Sequence, residues 1–172
     1  MSKLFIICGI SFAGKTTLGK RIAQRSGYAE VDVDEVKVQL YGADIRDEDL
    51  RSEDWVRIYA ETDRLIERYL KAGETVIDAS RNFSKEERQV ARQIAARLNV
   101  EVVTIFVDTP EAVARQRLLE NRKQPSRREV TDKDFEAVLR AMEPPTADEN
   151  PIVFRFGDSV ERWIAQNVPA LY

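Results

Sequence analysis

The chain has 172 residues, of which 33% are charged and 43% apolar, and this composition is typical of one soluble globular domain with a sizeable core. No apolar run is long enough to cross a membrane, and the apolar run near the N-terminus lacks the cleavage site of a signal peptide. The formal net charge of −3 argues against binding of nucleic acid through charge alone, and the single cysteine excludes an intrachain disulfide, which fits a cytoplasmic protein.

The first predicted strand leads into a phosphate-binding loop. Residues 9–16 have the pattern G-x-x-x-x-G-K-[ST]. Gly9 and Gly14 permit the unusual dihedrals with which backbone N–H groups close around a di- or triphosphate. Lys15 supplies a cation for the β- and γ-phosphate oxygens, Thr16 a hydroxyl for Mg²⁺, and the following helix its positive N-terminal end.

Phe12 is a bulky side chain inside this loop, and we expect it either to pack away from the ligand or to touch the nucleotide or the acceptor. A glycine-rich turn between a strand and a helix, without a ligand, is the alternative interpretation of the pattern. The predicted nucleotide-binding residues are Gly9, Ser11, Phe12, Ala13, Gly14, Lys15, Thr16 and Thr17.

Strands and helices alternate along the whole chain. This alternation predicts an α/β fold with a mostly parallel sheet and helices on both faces, in one domain covering residues 1–172. The predicted strands cover residues 3–8, 30–34, 74–79, 100–107 and 152–156. The predicted helices cover residues 15–26, a short stretch ending near 41, 53–72, 84–98 with a capping box of Ser84 and Glu87, a stretch beginning at 109–110, 131–142 and 158–167.

Ligands bind beyond the carboxyl ends of the strands in open parallel sheets, so polar residues at these ends are candidates for the acceptor site. Because the sequence contains no histidine, we expect the general base to be a carboxylate. Asp34, at the end of the second predicted strand, is the candidate base for a phosphoryl acceptor, and a helix N-cap is its compatible alternative role. Asp32 shares this face of the strand and is expected to be a supporting or a solvated residue.

Polar residues also follow the third predicted strand, where Asp78, Ser80 and Arg81 are candidate substrate-binding residues. Asp78 ends an apolar run, so we expect it either to hold a Mg²⁺-bound water or to bind the acceptor. Asp108, at the end of the fourth predicted strand, is the alternative metal residue, although the helix start at Thr109 and Pro110 explains it equally well, and the choice stays open. Ala79, and not a glutamate, follows Asp78, which favours transfer to a bound acceptor over activation of water.

A basic segment follows the fourth predicted strand. Arginines on a mobile lid stabilise the charge of a transferring phosphoryl group, and we predict such a lid over about 115–142, in which at least one arginine has this role. A solvated helix face, with Glu120 and Glu129 as partners, is the alternative. The basic residues of the segment are Arg115, Arg117, Arg122, Lys123, Arg127 and Arg128.

Four stretches follow the phosphate loop in an order found in small P-loop kinases, namely VDEVK at 33–37, VIDAS at 76–80, VDTPEAVARQR at 107–117 and EPPTADE at 143–149. In these motifs the chain resembles the family related to polynucleotide 5′-hydroxyl kinase, zeta toxins and chloramphenicol phosphotransferase. The resemblance implies a P-loop three-layer sandwich with a five-stranded parallel sheet of order 2-3-1-4-5, and ATP with Mg²⁺ as the phosphoryl donor.

The same resemblance assigns roles to individual residues. It implies that Asp34 deprotonates the acceptor and that Lys37 takes the place of a catalytic arginine of polynucleotide kinase. It implies that Asp78 and Ser80 touch the acceptor. Arg117 and Arg122 resemble the lid arginines of the family, which makes them the predicted catalytic arginines.

We therefore interpret the chain as an ATP-dependent kinase that transfers the γ-phosphoryl group to a hydroxyl of a small molecule or of a nucleic-acid 5′ end. A nucleotide-dependent hydrolase or switch and a nucleotide-binding module without turnover are the alternatives. The acidic net charge favours a small-molecule acceptor and the basic segment favours nucleic acid, so the acceptor stays open. ATP against GTP as donor and monomer against homodimer stay open as well, and no membrane partner is expected.

Overall fold

The computed structural model describes residues 2–126 and 129–168. Its strands are β1 (Lys3–Cys8), β2 (Ala29–Val31), β3 (Val76–Asp78), β4 (Glu101–Asp108) and β5 (Ile152–Arg155). Its helices are α1 (Lys15–Ser26), α2 (Val33–Tyr41), α3 (Ser52–Lys71), α4 (Lys85–Arg97), α5 (Glu111–Lys123), α6 (Asp132–Ala141) and α7 (Val160–Asn167). The strands form one parallel sheet in the order β2-β3-β1-β4-β5, which confirms the predicted fold class and strand order.

The central strand β1 is buried on both faces, because β3 and β4 flank it and helices cover the sheet above and below. Phe5 and Ile7 point into an apolar cluster with side chains of α1 and α7. Leu4 and Ile6 point to the opposite face, into a cluster with side chains of α3 and α4. The period of two along β1 therefore divides the core into two layers, as the continuous apolar run of the sequence predicts for a covered parallel sheet.

A third apolar cluster joins α5 and α6 to the phosphate loop. Phe12 is 6% exposed and packs with Ala114 and Leu118 of α5 and with Phe135 of α6. Of the two roles expected for this side chain, the structure shows the packing, and the same side chain also lines a cavity beside the loop. The loop and the helix pair above it consequently share one small core.

Several element boundaries differ from the predicted ones. The second strand ends at Val31, and α2 begins at Val33 after an N-cap at Asp32, whose Oδ1 accepts a hydrogen bond of 2.8 Å from the backbone N–H of Asp34. Asp34 therefore lies in the first turn of α2 and does not cap it. The capping box of Ser84 and Glu87 is confirmed by reciprocal hydrogen bonds at the start of α4.

The only cysteine of the sequence, Cys8, ends β1 and is completely buried. Burial raises the pKa of its thiol to about 11, and its Sγ lies 3.5 Å from the carbonyl oxygen of Ile105. This fits a small core residue. Among residues 2–126 and 129–168, no helix has both the length and the apolar character that crossing a membrane requires.

Candidate nucleotide and acceptor site

The phosphate loop, residues 9–16, adopts a conformation that its glycines make possible. Gly14 is the N-cap of α1 in the left-handed region, with φ 107°. Gly9 has φ 148°, and a Cβ atom there would lie 2.7 Å from the carbonyl oxygen of Val107 on β4. At Gly9 the loop therefore approaches β4 too closely for a side chain. The loop ends at the N-terminus of α1, where the N–H groups of the first helical turn are available to an anion.

Lys15 holds its ammonium group over the loop. Its Nζ donates hydrogen bonds to the carbonyl oxygens of Gly9 at 2.7 Å and Ile10 at 2.9 Å. The same Nζ lies 4.9 Å from the centre of the Phe83 ring, which belongs to the segment that follows β3. Lys15 thus joins the phosphate loop to the neighbouring loop of the sheet.

Arg117 of α5 reaches the same loop from the opposite side. Its Nη1 donates to the carbonyl oxygens of Phe12 and Ala13, each at 3.0 Å, and lies 3.6 Å from the position that a Cβ of Gly14 would occupy. Thr109 Oγ1 donates to the carbonyl oxygen of Ala13 at 2.9 Å. These contacts place the guanidinium group of Arg117 against the backbone of the phosphate loop, next to Gly14.

The structure does not bring Arg122 to this place. Its Nη2 donates to the carbonyl oxygen of Val130 at 3.1 Å and to Asp132 Oδ1 at 2.8 Å, so it ties α5 to the start of α6. Arg115 pairs with Glu111 and Glu136. The predicted lid residues Arg127 and Arg128 lie outside the described residues.

A cavity of about 610 Å³ opens beside the phosphate loop, between α5 and the turn from β5 to α7. This volume is in the range of cofactor-sized pockets. Its wall includes four residues of the predicted nucleotide-binding set, namely Phe12, Ala13, Gly14 and Thr17. The sequence did not predict several other residues that line this cavity, namely Asn121, Gln124, Phe154, Phe156 and Asp158.

Asp34 is held in place by a buried lysine. Lys37 is 1% exposed, and its Nζ donates to Asp34 Oδ1 and to Asp47 Oδ1, each at 2.8 Å. The same ammonium group lies 5.4 Å from the centre of the Trp55 ring. The side chain of Asp34 is 55% exposed, so this carboxylate is both oriented and accessible.

Residues 79–84, called the acceptor loop below, leave the carboxyl end of β3 next to β1. Asp78 is buried, and its two carboxylate oxygens accept hydrogen bonds from the backbone N–H of Ser80 and from Asn82 Nδ2, each at 3.0 Å. Burial raises the pKa of Asp78 above its usual range. The guanidinium of Arg81 lies 3.9 Å from the centre of the Tyr59 ring on α3.

Of the predicted acceptor residues, Arg81 lies against Tyr59 of α3. Burial raises the pKa of this phenol, the charge of Arg81 opposes the increase, and the charges of Asp47 and Asp34 add to it. Since β3 lies between β2 and β1, the acceptor loop lies between Asp34 and the phosphate loop.

Magnesium normally accompanies a nucleotide in a phosphate loop, where phosphates and water supply most of its ligands. Thr16 fits such an ion, since it follows Lys15 in the first turn of α1 and is partly exposed. Asp78 does not fit as a direct ligand, because it is buried and both of its carboxylate oxygens already accept hydrogen bonds. Asp108 is exposed at the end of β4. Within the described part of the chain, no group of three or more acidic, cysteine or histidine side chains is arranged to hold a metal.

Two further carboxyl groups at the end of β2 have raised pKa values. Burial, followed by the charge of Asp32, raises the pKa of Glu30 to about 7. Burial also raises the pKa of Asp32 to about 6, although the hydrogen bond from the N–H of Asp34 opposes the change. Both carboxyl groups therefore keep their protons to a higher pH than exposed acids do.

A parallel sheet of this order, with a glycine-rich loop joining the central strand to the first helix, defines a P-loop nucleotide-binding protein of the nucleoside triphosphatase class. The chain belongs to the AAA domain family, whose model matches residues 4–145. No curated protein is significantly similar to it in sequence.

Solved structures share the fold at low sequence identity. A sugar kinase from Janibacter sp. HTCC2649, solved without ligand, matches with a TM-score of 0.68 and 20% identity over 96% of this chain and 92% of that chain. The APS kinase CysC of Mycobacterium tuberculosis, in complex with AMPPNP and APS, gives 0.68 and 16% over 96% and 94%. Kti12 of Chaetomium thermophilum, in complex with ADP-AlF3, gives 0.77 and 15% over 96% of both chains.

Proposed function

We propose that the protein is an ATP-dependent kinase that transfers the γ-phosphoryl group to a hydroxyl acceptor. The main support is the half-exposed carboxylate of Asp34, which Lys37 orients at the edge of the sheet that also carries the phosphate loop. The APS kinase and Kti12 structures, which share the fold, hold AMPPNP and ADP-AlF3. The resemblance to polynucleotide kinase, zeta toxins and chloramphenicol phosphotransferase supports the same reaction class.

In the proposed reaction the backbone of the phosphate loop and Lys15 bind the phosphates, and Arg117 neutralises charge on the γ-phosphoryl oxygens. The acceptor oxygen forms a bond to the γ-phosphorus, the bond from that phosphorus to the β–γ bridging oxygen breaks, and ADP leaves. Asp34 takes the proton of the acceptor hydroxyl. A magnesium ion bound through Thr16 and the phosphates would neutralise negative charge on the nucleotide.

The proposal treats residues 1–172 as one catalytic domain and the helix pair α5 and α6, within about 115–142, as its lid. Phe12 supports this assignment, since it joins both helices to the phosphate loop. Arg117 is then the lid arginine that meets the nucleotide, and Arg122 holds the two lid helices together. The cavity beside the loop would receive the nucleoside.

The charges near the acceptor side favour a small molecule over a nucleic-acid 5′ end. Lys37 is already paired with two carboxylates, and residues 43–54 carry six acidic and two basic side chains. A polyanion approaching this side would be repelled by about 1 kcal/mol for each pair of like charges 4 Å apart in water. A screen of γ-phosphoryl transfer to sugars, nucleosides, aminoglycoside- and phenicol-like alcohols and 5′-hydroxyl oligonucleotides tests this choice.

The Asp34→Asn variant tests the assignment of the base. We expect transfer to fall by at least ~10²-fold, because the amide cannot accept the proton, while nucleotide affinity is retained. Asp47→Asn is a matched control, since it removes a carboxylate with the same 2.8 Å contact to Lys37 and similar exposure, and we expect a loss below about tenfold. Equal losses in both variants would refute the assignment.

The two alternative functions predict different results in the same assays. Hydrolysis of ATP at a similar rate with and without an acceptor would indicate a hydrolase or switch. The absence of a glutamate after Asp78 argues against this alternative. A thermal shift with ATP but no turnover with any acceptor would indicate a binding module.

A further inference from the structure

A buried ion pair lies behind the acceptor loop, residues 79–84. Arg88 of α4 is fully buried, and Glu149, in the short turn 147–149 before β5, is 4% exposed. Arg88 Nε lies 2.6 Å from Glu149 Oε1, and its Nη2 lies 2.9 Å from Oε2. An ion pair removed from water often stabilises a fold no better than apolar side chains of similar size. Stability alone therefore does not account for this pair, and the backbone segments that it holds indicate its role.

The third nitrogen of the guanidinium joins two separate segments. Arg88 Nη1 donates to the carbonyl oxygens of Asn82 and Phe83, each at 3.3 Å, and to that of Glu143 at 2.9 Å. The first two belong to the acceptor loop, and Glu143 begins the segment after α6. The backbone N–H of Glu143 also donates to the carbonyl oxygen of Phe83 at 2.9 Å.

The other member of the pair is fixed to the sheet. Arg92 Nη2 donates to the carbonyl oxygen of Glu149 at 2.9 Å and to Thr104 Oγ1 of β4 at 2.6 Å. Since β4 pairs with β1, Glu149 has a defined position relative to the strand that carries the phosphate loop. Arg88 transmits this position to the acceptor loop.

The far end of this chain of contacts lies in the site. The Phe83 ring, whose backbone carbonyl accepts from Arg88, packs 4.9 Å from Nζ of Lys15. Asn82, the other carbonyl held by Arg88, donates through its Nδ2 to Asp78 Oδ2. A displacement of this backbone would move the ring beside Lys15 and the amide that holds Asp78, and a misplacement of about 1 Å can reduce a rate about 10²-fold.

We infer that Arg88 and Glu149 are positioning residues that set the distance between the acceptor loop and the phosphate loop. This inference rests on the proposed kinase function. Both side chains are buried, so Arg88 acts through the backbone of Asn82 and Phe83, and Glu149 acts by holding Arg88.

The double variant Arg88→Met/Glu149→Leu separates positioning from folding, because it removes the ion pair without leaving an unpaired buried charge. We expect a folded protein whose kcat per folded molecule, or kcat/KM for the acceptor, falls at least ~10-fold, while Kd for ATP changes less than threefold. Lys85→Met is the matched control. It removes the exposed contacts of Lys85, at the start of α4, with Thr146 and Asp148 in the segment before β5, and we expect it to leave the kinetics unchanged.

Unchanged kcat and acceptor KM in the folded double variant would overturn the inference. Arg88→Lys is a second variant, which keeps the charge and loses the forked contact, and we expect it to lower the acceptor kcat/KM in the same way. Hydrogen exchange tests the positioning role without an activity assay. Amides of residues 79–84 should exchange at least ~10-fold faster in Arg88→Lys than in the unaltered protein, while the exchange rates of the β5 amides stay unchanged. Unaltered exchange in this loop would refute positioning, whereas faster exchange together with no transfer to any acceptor by the unaltered protein would refute only the kinase.

Discussion

Replacement of Glu30 by glutamine should make the protein more stable at alkaline pH. Glu30 Oε1 is buried against α1, where it would lie 3.0 Å from a Cβ atom on Gly19, and it has no hydrogen-bond partner among the described residues. Burial raises the pKa of this carboxyl from 4.5 to about 7, so the folded state holds its proton more tightly than the unfolded state does. The resulting stabilisation is complete below pH 4.5 and is lost as the pH rises through about 7.

The size of the effect follows from the two pKa values. Each pKa unit corresponds to about 1.4 kcal/mol, so the difference between 4.5 and about 7 sets an upper limit of about 3 kcal/mol. The carboxyl is only half-buried, and solvent screening reduces this to about 1–2 kcal/mol. Glu30→Gln removes the ionisation, so we expect a gain of that size at pH 8 and most of it to be absent at pH 5.

Urea denaturation of both proteins at pH 5 and pH 8 measures the difference in the free energy of unfolding. Glu74→Gln is the control, since Glu74 is exposed in the turn before β3, and its effect should stay within about 0.5 kcal/mol at both pH values. A gain of equal size at both pH values, or a loss of stability at pH 8, would show that the charge of Glu30 is not under strain in the folded state.

Two further predictions concern the phosphate loop. Arg117→Met should lower γ-phosphoryl transfer about 10³-fold or more, whereas Arg122→Met should lower it less than tenfold, because Arg122 is on the same helix but pairs with α6. Steady-state kinetics with a common acceptor compares the two variants. Equal losses of activity would contradict the role proposed for Arg117. Gly9→Ala should abolish ATP binding and lower the free energy of unfolding by more than ~2 kcal/mol, because its Cβ would lie 2.7 Å from the carbonyl oxygen of Val107. The control is Gly73→Ala, at a residue with φ 81° and open space around it, and this variant should lose about 1 kcal/mol of stability. A larger loss in Gly73→Ala than in Gly9→Ala, measured by calorimetry, would contradict the steric argument.

The sheet and the phosphate loop were predictable because their signals are local. The apolar run of β1 and the spacing of glycines and lysine in residues 9–16 depend on neighbouring residues alone. The strand order required the resemblance to known kinases, since periodicity along the chain carries no information about which strands pair.

Helical spacing alone separates the two predicted lid arginines, Arg117 and Arg122, on α5. Residues five apart on a helix are turned by about 140°, so Arg117 and Arg122 cannot face the same loop. Asn121, four residues after Arg117, lies on the same face and lines the cavity, so helical spacing was a usable signal for it.

Other parts of the site have no local signal. Asp47 meets Lys37 only because of the path of the turn after α2. Phe156 and Asp158 reach the cavity from the turn after β5, which the sheet order brings beside α1 and α5. Arg88 is a charged residue in a polar helix, and its complete burial follows from the return of the chain at Glu149, 61 residues later.

Cys8 has a practical consequence for work on this protein. At neutral pH a thiol with a pKa of about 11 is protonated, and burial in β1 shields it from maleimides and iodoacetamides. A cysteine introduced on the surface should therefore react selectively with a fluorophore or spin label in the otherwise native chain. Pairs of such labels on α5 and α3 would report any approach of these helices in solution, without prior removal of the native thiol.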